Sequence, residues 1–314
     1  MIKRTLHFGN PVYLSLKDEQ LIVTYPLVQL EKIPSSQWLK VENEITIKKV
    51  SIEDVGVIVL ESLQITITTA LLEKLTQSKV AIITCNHKHM PIGLLQPLEG
   101  HTEQSERFKH QINASLPLKK NLWQQTVQAK IKNQAMHLKE KGIVSVKNML
   151  YWVNEVTSGD IKNHEARAAA YYWKHLFPIE NFTRERVGDA PNNLLNYGYA
   201  ILRAITARSL MSSGLFPTFG IHHHNKYNAY CLADDIMEPY RPYVDVIVSH
   251  LVDNNDNLDD LTIELKKELL QIPAMDVIID GKKSPLLVAM SRTTHSLYEC
   301  YAGLSRKLIY PEYV

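Results

Sequence analysis

The sequence predicts an α+β protein in which a small β-rich domain with one helix (residues 1–98) precedes a larger all-α domain (residues 101–314). Two observations support this class. Short apolar runs of five or six residues, separated by turn signals such as Gly9 and Asn10, fill the first hundred residues. Beyond Pro97 the apolar residues recur every three to four positions, which is the period of an amphipathic helix. This change of period places the predicted domain boundary near residues 98–101.

The first domain is predicted to be a sheet, because its apolar runs are rich in β-branched residues. The predicted strands before the helix are Arg4–Phe8, Val12–Leu16, Gln20–Tyr25, Glu44–Lys48 and Val55–Leu60. Val55–Leu60 is apolar throughout, as expected of a strand covered on both faces. A helix over Thr68–Ser78 and strands over Val80–Cys85 and Pro91–Leu95 complete the domain. With little core of its own and no cluster of ligands, this domain is interpreted as a scaffold that forms the interface of a homodimer.

The second domain is predicted from segments with helical spacing and from helix start signals. The predicted helices cover residues 102–115, 118–140, 143–156, 192–212, 235–252, 262–271 and 291–307, and a further helix begins near Asn163. The 192–212 helix is largely apolar, which favours a place in the core.

Composition restricts the environment of the protein. The three cysteines (Cys85, Cys231 and Cys300) are odd in number and far apart, so they indicate neither a disulfide framework nor a zinc module. The first ten residues contain no apolar signal segment, and no apolar run approaches the ~18 residues of a membrane span. We therefore expect a cytoplasmic protein that does not enter a membrane.

Positive charge is concentrated in residues 101–150, which contain nine Lys and Arg residues but only three acidic residues. Such a segment is compatible with a polyanionic partner, and equally with the solvated face of ordinary helices. The basic residues are Arg107, Lys109, Lys119, Lys120, Lys130, Lys132, Lys139, Lys141 and Lys147.

A candidate site lies in the stretch Gly214–Arg241. Turn residues lead to His222, His223 and His224, and a helix is predicted to follow with Asp234 as its N-cap. Asp235 and Glu238 are three residues apart on that helix, so their carboxylates share one face. Carboxylates and an imidazole are suitable ligands for a divalent ion. The residues alone leave open a simpler interpretation, in which the acids only favour the helix start and the histidines are ordinary loop residues.

A second acid, Glu165, lies in the first turn of the helix predicted to begin near Asn163. The alanines at 168–170 would allow this helix to approach its neighbours closely. Glu165 could then reach the histidine loop and complete a mixed carboxylate and imidazole site. Its simpler role is a favourable interaction with the helix dipole.

Three motifs in order resemble those of the CRISPR-associated integrase, the universal endonuclease-like subunit of spacer acquisition. They are G-D-x-x-N-x-E-A-x-A-A-x-Y-W over Gly159–Trp173 (with one extra residue in the alanine run), G-L-x-P-x-x-G-x-x-H over Gly214–His223 and D-x-M-E-P-x-R-P over Asp235–Pro242. The ending R-T-T-x-S-L-Y-x-C-Y and the loop H-H-x-N-x-Y-N-A-Y are similar to the branch found with single-effector, type II systems. The resemblance covers essentially the whole chain, including an N-terminal β-domain and an all-α catalytic domain.

The resemblance implies metal ligands at Glu165, His223 and Glu238, with Asp235 as a neighbouring catalytic acid that helps to bind metal or DNA. His223 is chosen among the three histidines because it lies three residues after Gly220. The implied ion is Mg²⁺ or Mn²⁺. The implied reaction is attack by the 3′-hydroxyl of a short duplex on a phosphodiester at the edge of a CRISPR repeat, in antiviral defence. With water in place of that hydroxyl, the same site would act as a weak nuclease.

The implied partners are double-stranded DNA (the short duplex and the repeat), a second copy of the chain and a small ferredoxin-like protein that bridges two dimers. Candidate phosphate contacts are Arg167, Arg203, Lys226, Arg241, Lys130 and Lys132. Two other functions stay open at this stage, a phosphohydrolase acting on small phosphate esters and a non-catalytic DNA-bridging protein. Open as well are Asp235 in place of Glu238 as the third ligand, and helper roles for His222 and His224.

Overall fold

A computed structural model describes residues 3–25, 39–41, 44–142, 145–255 and 257–313. The chain divides into two compact units, Met1–Leu98 and Glu99–Val314. The elements of the first unit are β1 (Arg4–Phe8), β2 (Val12–Lys17), β3 (Gln20–Thr24), β4 (Leu39–Val41), β5 (Glu44–Ser51), β6 (Val55–Leu60), β7 (Ile65–Ile67), α1 (Thr69–Gln77), β8 (Ala81–Cys85) and β9 (Pro91–Leu95). The scaffold and dimerisation role of this unit stays a prediction.

Two sheets and helix α1 make up the described part of the first unit. One has the strand order β1-β6-β8-β9, with β6 parallel to β1 and to β8, and β9 antiparallel to β8. The other has the order β4-β5-β3-β2-β7. The four residues Val55, Val57, Ile58 and Val59 of β6 are completely buried, as predicted from its continuous apolar run. On α1, Leu71 and Leu75 pack into the same core. Strands β4 and β7 have three residues each and are too short to give a pattern in the sequence.

The second unit is mostly helical. Its helices are α2 (Gln104–Ile112), α3 (Leu116–Glu140), α4 (Lys147–Glu155), α5 (His164–Leu176), α6 (Asn192–Ser212), α7 (Cys231–Met237), α8 (Arg241–Asn254), α9 (Ile263–Leu269) and α10 (Leu286–Tyr301). Its strands are β10 (Asp276–Ile279), β11 (Lys282–Pro285) and β12 (Pro311–Glu312), in the order β11-β10-β12. The predicted α+β class is confirmed, with a strand-rich first part and a mostly helical second part, and the small sheet is an addition to the predicted helices.

Helix α6 lies in the core, as its apolar composition predicted. Leu194, Leu195, Leu202 and Leu210 are all completely buried, and burying such a side chain contributes about 1.5–3 kcal/mol. Gly198 lies so close to α8 that a Cβ there would come within 2.5 Å of Val244 Cγ1. The glycine therefore sets the close approach of α6 and α8.

The single helix predicted over 235–252 is in fact interrupted. Helix α7 ends at Met237, a 3₁₀ segment spans Glu238–Tyr240, and α8 begins at Arg241. Pro239 and Pro242 have no N–H to donate to a carbonyl in the preceding turn, so a continuous α-helix cannot pass through them without losing hydrogen bonds. The break also places Glu238 at the junction of two helices.

A buried polar network joins four helices. The Asp245 carboxylate on α8 accepts hydrogen bonds from the hydroxyls of Tyr172 (3.0 Å) on α5 and of Tyr199 on α6, while His137 Nδ1 on α3 lies 2.8 Å from the Tyr172 hydroxyl. Burial raises the pKa of Asp245 to about 7, although the tyrosine hydroxyls oppose that rise. Burial lowers the pKa of His137 to about 3.

Among the described residues, no helix is both long enough and apolar enough to cross a membrane. The three cysteines are all buried.

Candidate active site

Glu165 is held at the N-terminus of α5 by the residues just before the helix. Asp160 accepts hydrogen bonds from the backbone N–H groups of His164 (3.0 Å) and Glu165 (2.9 Å). Asn163, predicted to start the helix, does occupy the N-cap position, but it is left-handed with φ 52° and its side chain makes no cap. The capping function therefore belongs to Asp160, and its two hydrogen bonds fix the backbone that carries Glu165.

Glu238 is buried between two cations. Arg241 Nε donates to Oε1 at 2.9 Å, and Lys130 Nζ lies 2.6 Å from Oε2. Burial by itself would raise the pKa of Glu238, but Arg241 and Lys130 outweigh it and lower the pKa to about 2. At neutral pH this side chain is a carboxylate with both oxygens in contact with positive charge.

Lys130 joins the two predicted carboxylates. Its Nζ lies 2.6 Å from Glu165 Oε1 and 2.6 Å from Glu238 Oε2, and the residue is 8% exposed. Burial disfavours the charged lysine, yet Glu238 and Glu165 together raise its pKa. Lys130 was predicted as a candidate phosphate contact, and it lies on the buried side of α3, where both of the contacts described here are to carboxylates.

Asp235 fixes the loop that carries His223. Its Oδ2 accepts from the N–H groups of Ile221 (2.7 Å) and His222 (2.9 Å), and its Oδ1 accepts from the N–H of His223 (3.3 Å). Oδ1 also contacts Nδ1 of His223, an interaction that raises the pKa of this histidine. Gly220 permits the turn, because a Cβ there would lie 2.3 Å from the His223 carbonyl oxygen.

These contacts distinguish between the two acids predicted on one helix face. Asp235 is completely buried and both of its oxygens accept from the loop, whereas the Glu238 carboxylate points to Lys130 and to Glu165 beyond it. The geometry favours Glu238 over Asp235 as the ligand contributed by this segment. Asp235 instead orients His223 and leaves its Nε2 as the ring nitrogen available to a ligand.

The other two histidines lie in different surroundings. The His222 ring stacks on Trp123 with centroids 4.1 Å apart and planes 2° from parallel, and its edge meets the His223 ring at 5.2 Å. Trp123 is buried on α3, so it provides a fixed surface under the loop. His224 is exposed. The role of Trp123 could not be predicted from the sequence, because 99 residues separate it from His222 (222 − 123).

The donor types fit a divalent ion. Two carboxylates from different helices converge on one cationic group, here the Lys130 ammonium, and His223 has its second ring nitrogen fixed by a carboxylate, as is usual for a metal-bound histidine. Over the described residues, however, no three His, Cys, Asp or Glu side chains are already arranged closely enough to enclose an ion. The Lys130 ammonium is one reason that the ligands are not closer together, since it fills the space between the two carboxylates.

The remaining predicted phosphate contacts differ in exposure. Arg167 and Lys226 are exposed and lie over the rings of Trp152 and Tyr227, respectively. Lys132 is also exposed and pairs with Glu312 at 3.0 Å. Arg167, Lys226 and Lys132 are therefore all at the surface.

Arg203 and Arg241 are both engaged with acids. Arg203 pairs with Asp234 at 2.6 Å. Asp234 was predicted as an N-cap, but α7 begins at Cys231, so it lies inside the helix and makes no cap. Arg241 pairs with Glu238 and also lies over the Tyr199 ring, with 4.5 Å to the ring centroid.

Arg184 was not predicted as a site residue. Its guanidinium lies 5.3 Å from the centroid of the Tyr199 ring, which also contacts Arg241. It donates to the side-chain oxygens of Asn192 (2.9 Å) and Asn196 (2.7 Å). Burial lowers its pKa. The spacing of Asn192, Asn196 and Tyr199 along α6 could have indicated this polar stripe.

Known proteins resemble this chain in sequence. The family model for CRISPR associated protein Cas1 matches residues 10–279. The CRISPR-associated endonuclease Cas1 of Neisseria meningitidis serogroup C (strain 8013) is 38% identical over 259 residues, covering 82% of this chain and 84% of the relative. CRISPR-associated endonuclease Cas1 2 of Pyrobaculum aerophilum is 29% identical over 203 residues, covering 60% of this chain and 68% of the relative.

Solved structures share the fold. A casposase bound to its integration product superimposes with a TM-score of 0.77 at 19% identity, covering 100% of this chain and 95% of the casposase. A Cas1 protein from Thermotoga maritima gives 0.69 at 18% identity, covering 96% and 97%. A chain of a Cas6-RT-Cas1–Cas2 complex gives 0.67 at 19% identity, covering 98% of this chain and 36% of that one.

The named relatives confirm the enzyme class predicted from the sequence, a CRISPR-associated endonuclease. Family match, identity and fold all lead to the same assignment: this chain belongs to the CRISPR-associated Cas1 family.

Proposed function

We propose that this protein joins the 3′ end of a short DNA duplex to a phosphodiester at the edge of a CRISPR repeat, by metal-dependent transesterification. The observation that carries the proposal is the convergence of Glu165 and Glu238, from different helices, on one cationic position between them. Two carboxylates that converge in this way need a cation between them, and a divalent ion held there would suit phosphoryl transfer.

Glu165, Glu238 and His223 would hold the ion, which is Mg²⁺ or Mn²⁺. When bound, such an ion neutralises charge on the attacked phosphate and on the leaving oxygen. The imidazole favours Mn²⁺ somewhat, because Mg²⁺ prefers oxygen ligands. Asp235 sets the orientation of His223 through its contact with Nδ1, and Arg241 holds the Glu238 carboxylate through Oε1.

Contact with DNA is proposed to be made mainly with the phosphate backbone. Arg167 and Lys226 are exposed cations that can pair with phosphates without first breaking a buried ion pair. Lysine and arginine side chains that contact phosphates position a duplex but do not read its sequence. We therefore propose that the inserted duplex is bound with little regard to its base sequence.

The proposed assembly is a homodimer, with two dimers bridged by a small ferredoxin-like partner. A chain of the same fold occurs in a complex that contains Cas2, which supports a partner of this kind. A mass for the isolated chain equal to its 35.9 kDa monomer, measured by light scattering at micromolar concentration, would contradict the dimer.

The function is tested by strand transfer from a labelled short duplex into a supercoiled plasmid that carries a CRISPR repeat. The wild type should form joined product with Mn²⁺ or Mg²⁺. The variants Glu165→Ala, His223→Ala and Glu238→Ala should each lose joining, because each ligand comes from a different segment and the other two cannot replace it. The control is His224→Ala, in the same loop.

Binding of the duplex is measured alongside joining, by fluorescence anisotropy at fixed salt. Wild-type protein that bound duplex but never joined it would contradict the integrase and leave a DNA-bridging function. Hydrolysis of p-nitrophenyl phosphate without any joining would favour the small-phosphate-ester alternative. Full joining by Glu165→Ala would overturn the ligand assignment.

A further inference from the structure

The candidate site contains an internal cation whose position needs an explanation. Lys130 Nζ lies 2.6 Å from a carboxylate oxygen of Glu165 and 2.6 Å from one of Glu238, and these three residues come from three segments of the second unit. The lysine is only 8% exposed. A buried ammonium is costly unless it is paired, and a pair of close carboxylates is costly unless a cation separates them.

The two carboxylates are also the ones proposed to hold the divalent ion. An ion bound between them would occupy the space of the ammonium, and two cations in contact would repel strongly. The backbone of α3 cannot retreat, because Asn133, one turn further along, is tied by its side chain to the carbonyl oxygens of Pro239 (2.8 Å) and Pro311 (3.1 Å). The lysine side chain, in contrast, is a flexible chain that can rotate about each of its carbon–carbon bonds.

We infer that Lys130 is a built-in counter-cation, which holds Glu165 and Glu238 together in the metal-free protein and is displaced from between them when the divalent ion binds. The Glu165 side chain is 24% exposed and that of Glu238 is 8% exposed, so the displaced ammonium moves towards the Glu165 side. The inference rests on the proposed metal-dependent function. It adds a competition between lysine and metal within one site.

The first test compares Lys130→Met with Lys132→Met, without DNA. Methionine keeps an unbranched apolar stem and removes the charge. Lys132 is two residues away on the same helix, and its side chain is 46% exposed and paired with Glu312. Titration with MnCl₂ by calorimetry should show that Lys130→Met binds Mn²⁺ more tightly than wild type by roughly tenfold, because no ammonium has to leave. Lys132→Met should bind as wild type does.

Urea denaturation of the same metal-free proteins should show a lower midpoint for Lys130→Met, with the midpoint restored by saturating Mn²⁺. Unchanged or weaker Mn²⁺ binding by Lys130→Met would overturn the inference while leaving the metal site in place. If wild type bound no Mn²⁺ at all, the inference and the proposed function would both be wrong.

The second test uses wild-type protein and so does not depend on a variant that folds. Lysines are acetylated briefly with and without saturating MgCl₂, and the labelled peptides are quantified by mass spectrometry. Lys130 should be protected without Mg²⁺ and labelled several-fold faster with it, while Lys132 should react equally in both conditions. Equal labelling of Lys130 in both conditions would show that the ammonium stays in place and would refute the displacement.

Discussion

Asp235→Asn tests whether one carboxylate holds the histidine loop. Both oxygens of Asp235 accept from N–H groups of the loop, but an asparagine side chain has one oxygen and one NH₂ group. In either orientation, the NH₂ group therefore faces loop N–H groups to which it cannot hydrogen-bond. If the oxygen stays towards His223, the hydrogen bonds to the N–H groups of Ile221 (2.7 Å) and His222 (2.9 Å) are lost. Hydrogen bonds to a charged acceptor contribute about 1.5–3 kcal/mol each.

Two such bonds would cost about 3–6 kcal/mol in a dry interior. The loop reaches the surface at His222 and His223, so water can satisfy part of the deficit. We therefore expect Asp235→Asn to lower the free energy of unfolding by about 3 kcal/mol, the lower end of this range. Urea unfolding at pH 7 without metal measures the change, with Trp fluorescence as the signal, since three of the four tryptophans, including Trp123, lie in the second unit.

Asp234→Asn is the matched control, because Asp234 is the adjacent acid on the same helix. Its partner Arg203 is 44% exposed at the side chain, and an asparagine oxygen can still accept from the guanidinium, so only part of the pair's contribution is lost, about 0–1 kcal/mol. The control should therefore be destabilised by no more than about 1 kcal/mol. Equal destabilisation of Asp234→Asn and Asp235→Asn would refute the anchoring role and restore Asp235 as a candidate ligand.

Three further outcomes are expected. Glu238→Gln should lower the free energy of unfolding of the metal-free protein by about 3 kcal/mol, as measured in urea at pH 7. The reason is that a pKa lowered from 4.5 to about 2 stabilises the folded carboxylate by ~1.4 kcal/mol per unit. Equal or higher stability of the variant would contradict this and would indicate that its main effect is to remove repulsion between neighbouring carboxylates. Because burial raises the pKa of Asp245 to about 7, its contribution to stability is complete below pH ~4 and is lost as the pH rises through 7. Asp245→Asn should therefore flatten the pH dependence of unfolding between pH 4 and 7, and an unchanged slope of the curve would argue against it. Charge reversal at Arg167 or Lys226 should weaken duplex binding and reduce the slope of log K against log salt concentration by about 0.9 for each phosphate that the variant no longer neutralises. Fluorescence anisotropy at several salt concentrations measures this slope. An unchanged slope would show that the residue does not contact a phosphate.

Much of the fold could be predicted from the sequence, because strand and helix periods are local properties. Val55–Leu60 and the 192–212 helix were predicted with the bounds that the structure gives. The small sheet of β10, β11 and β12 was missed, because its strands have four, four and two residues. Too few residues are present in each to show an alternation.

The site could be predicted in its composition but not in its contacts. Motifs indicated Glu165, His223 and Glu238, whose placement as metal ligands remains a prediction. The ion pairs of Lys130 join residues 35 and 108 positions apart (165 − 130 and 238 − 130), and no local pattern distinguishes such a lysine from a solvated one. From the sequence alone, removing one carboxylate from the acidic cluster is expected to relieve repulsion and leave stability unchanged or slightly higher. The ion pairs of Glu238 with Lys130 and Arg241 instead lead us to expect that its removal destabilises the protein.

The spacing of residues along helix α3 fixes which parts of the second unit it can contact. Trp123, Lys130, Asn133 and His137 recur at steps of seven, three and four, and each contacts a different part of the second unit: the histidine loop, the two carboxylates, the C-terminal strand and the buried tyrosine network. One residue inserted between Trp123 and Lys130 would turn the two ends of the helix by about 100° relative to each other. Trp123 and Lys130 would then face different directions, so this segment tolerates substitution at its exposed positions but not insertion or deletion.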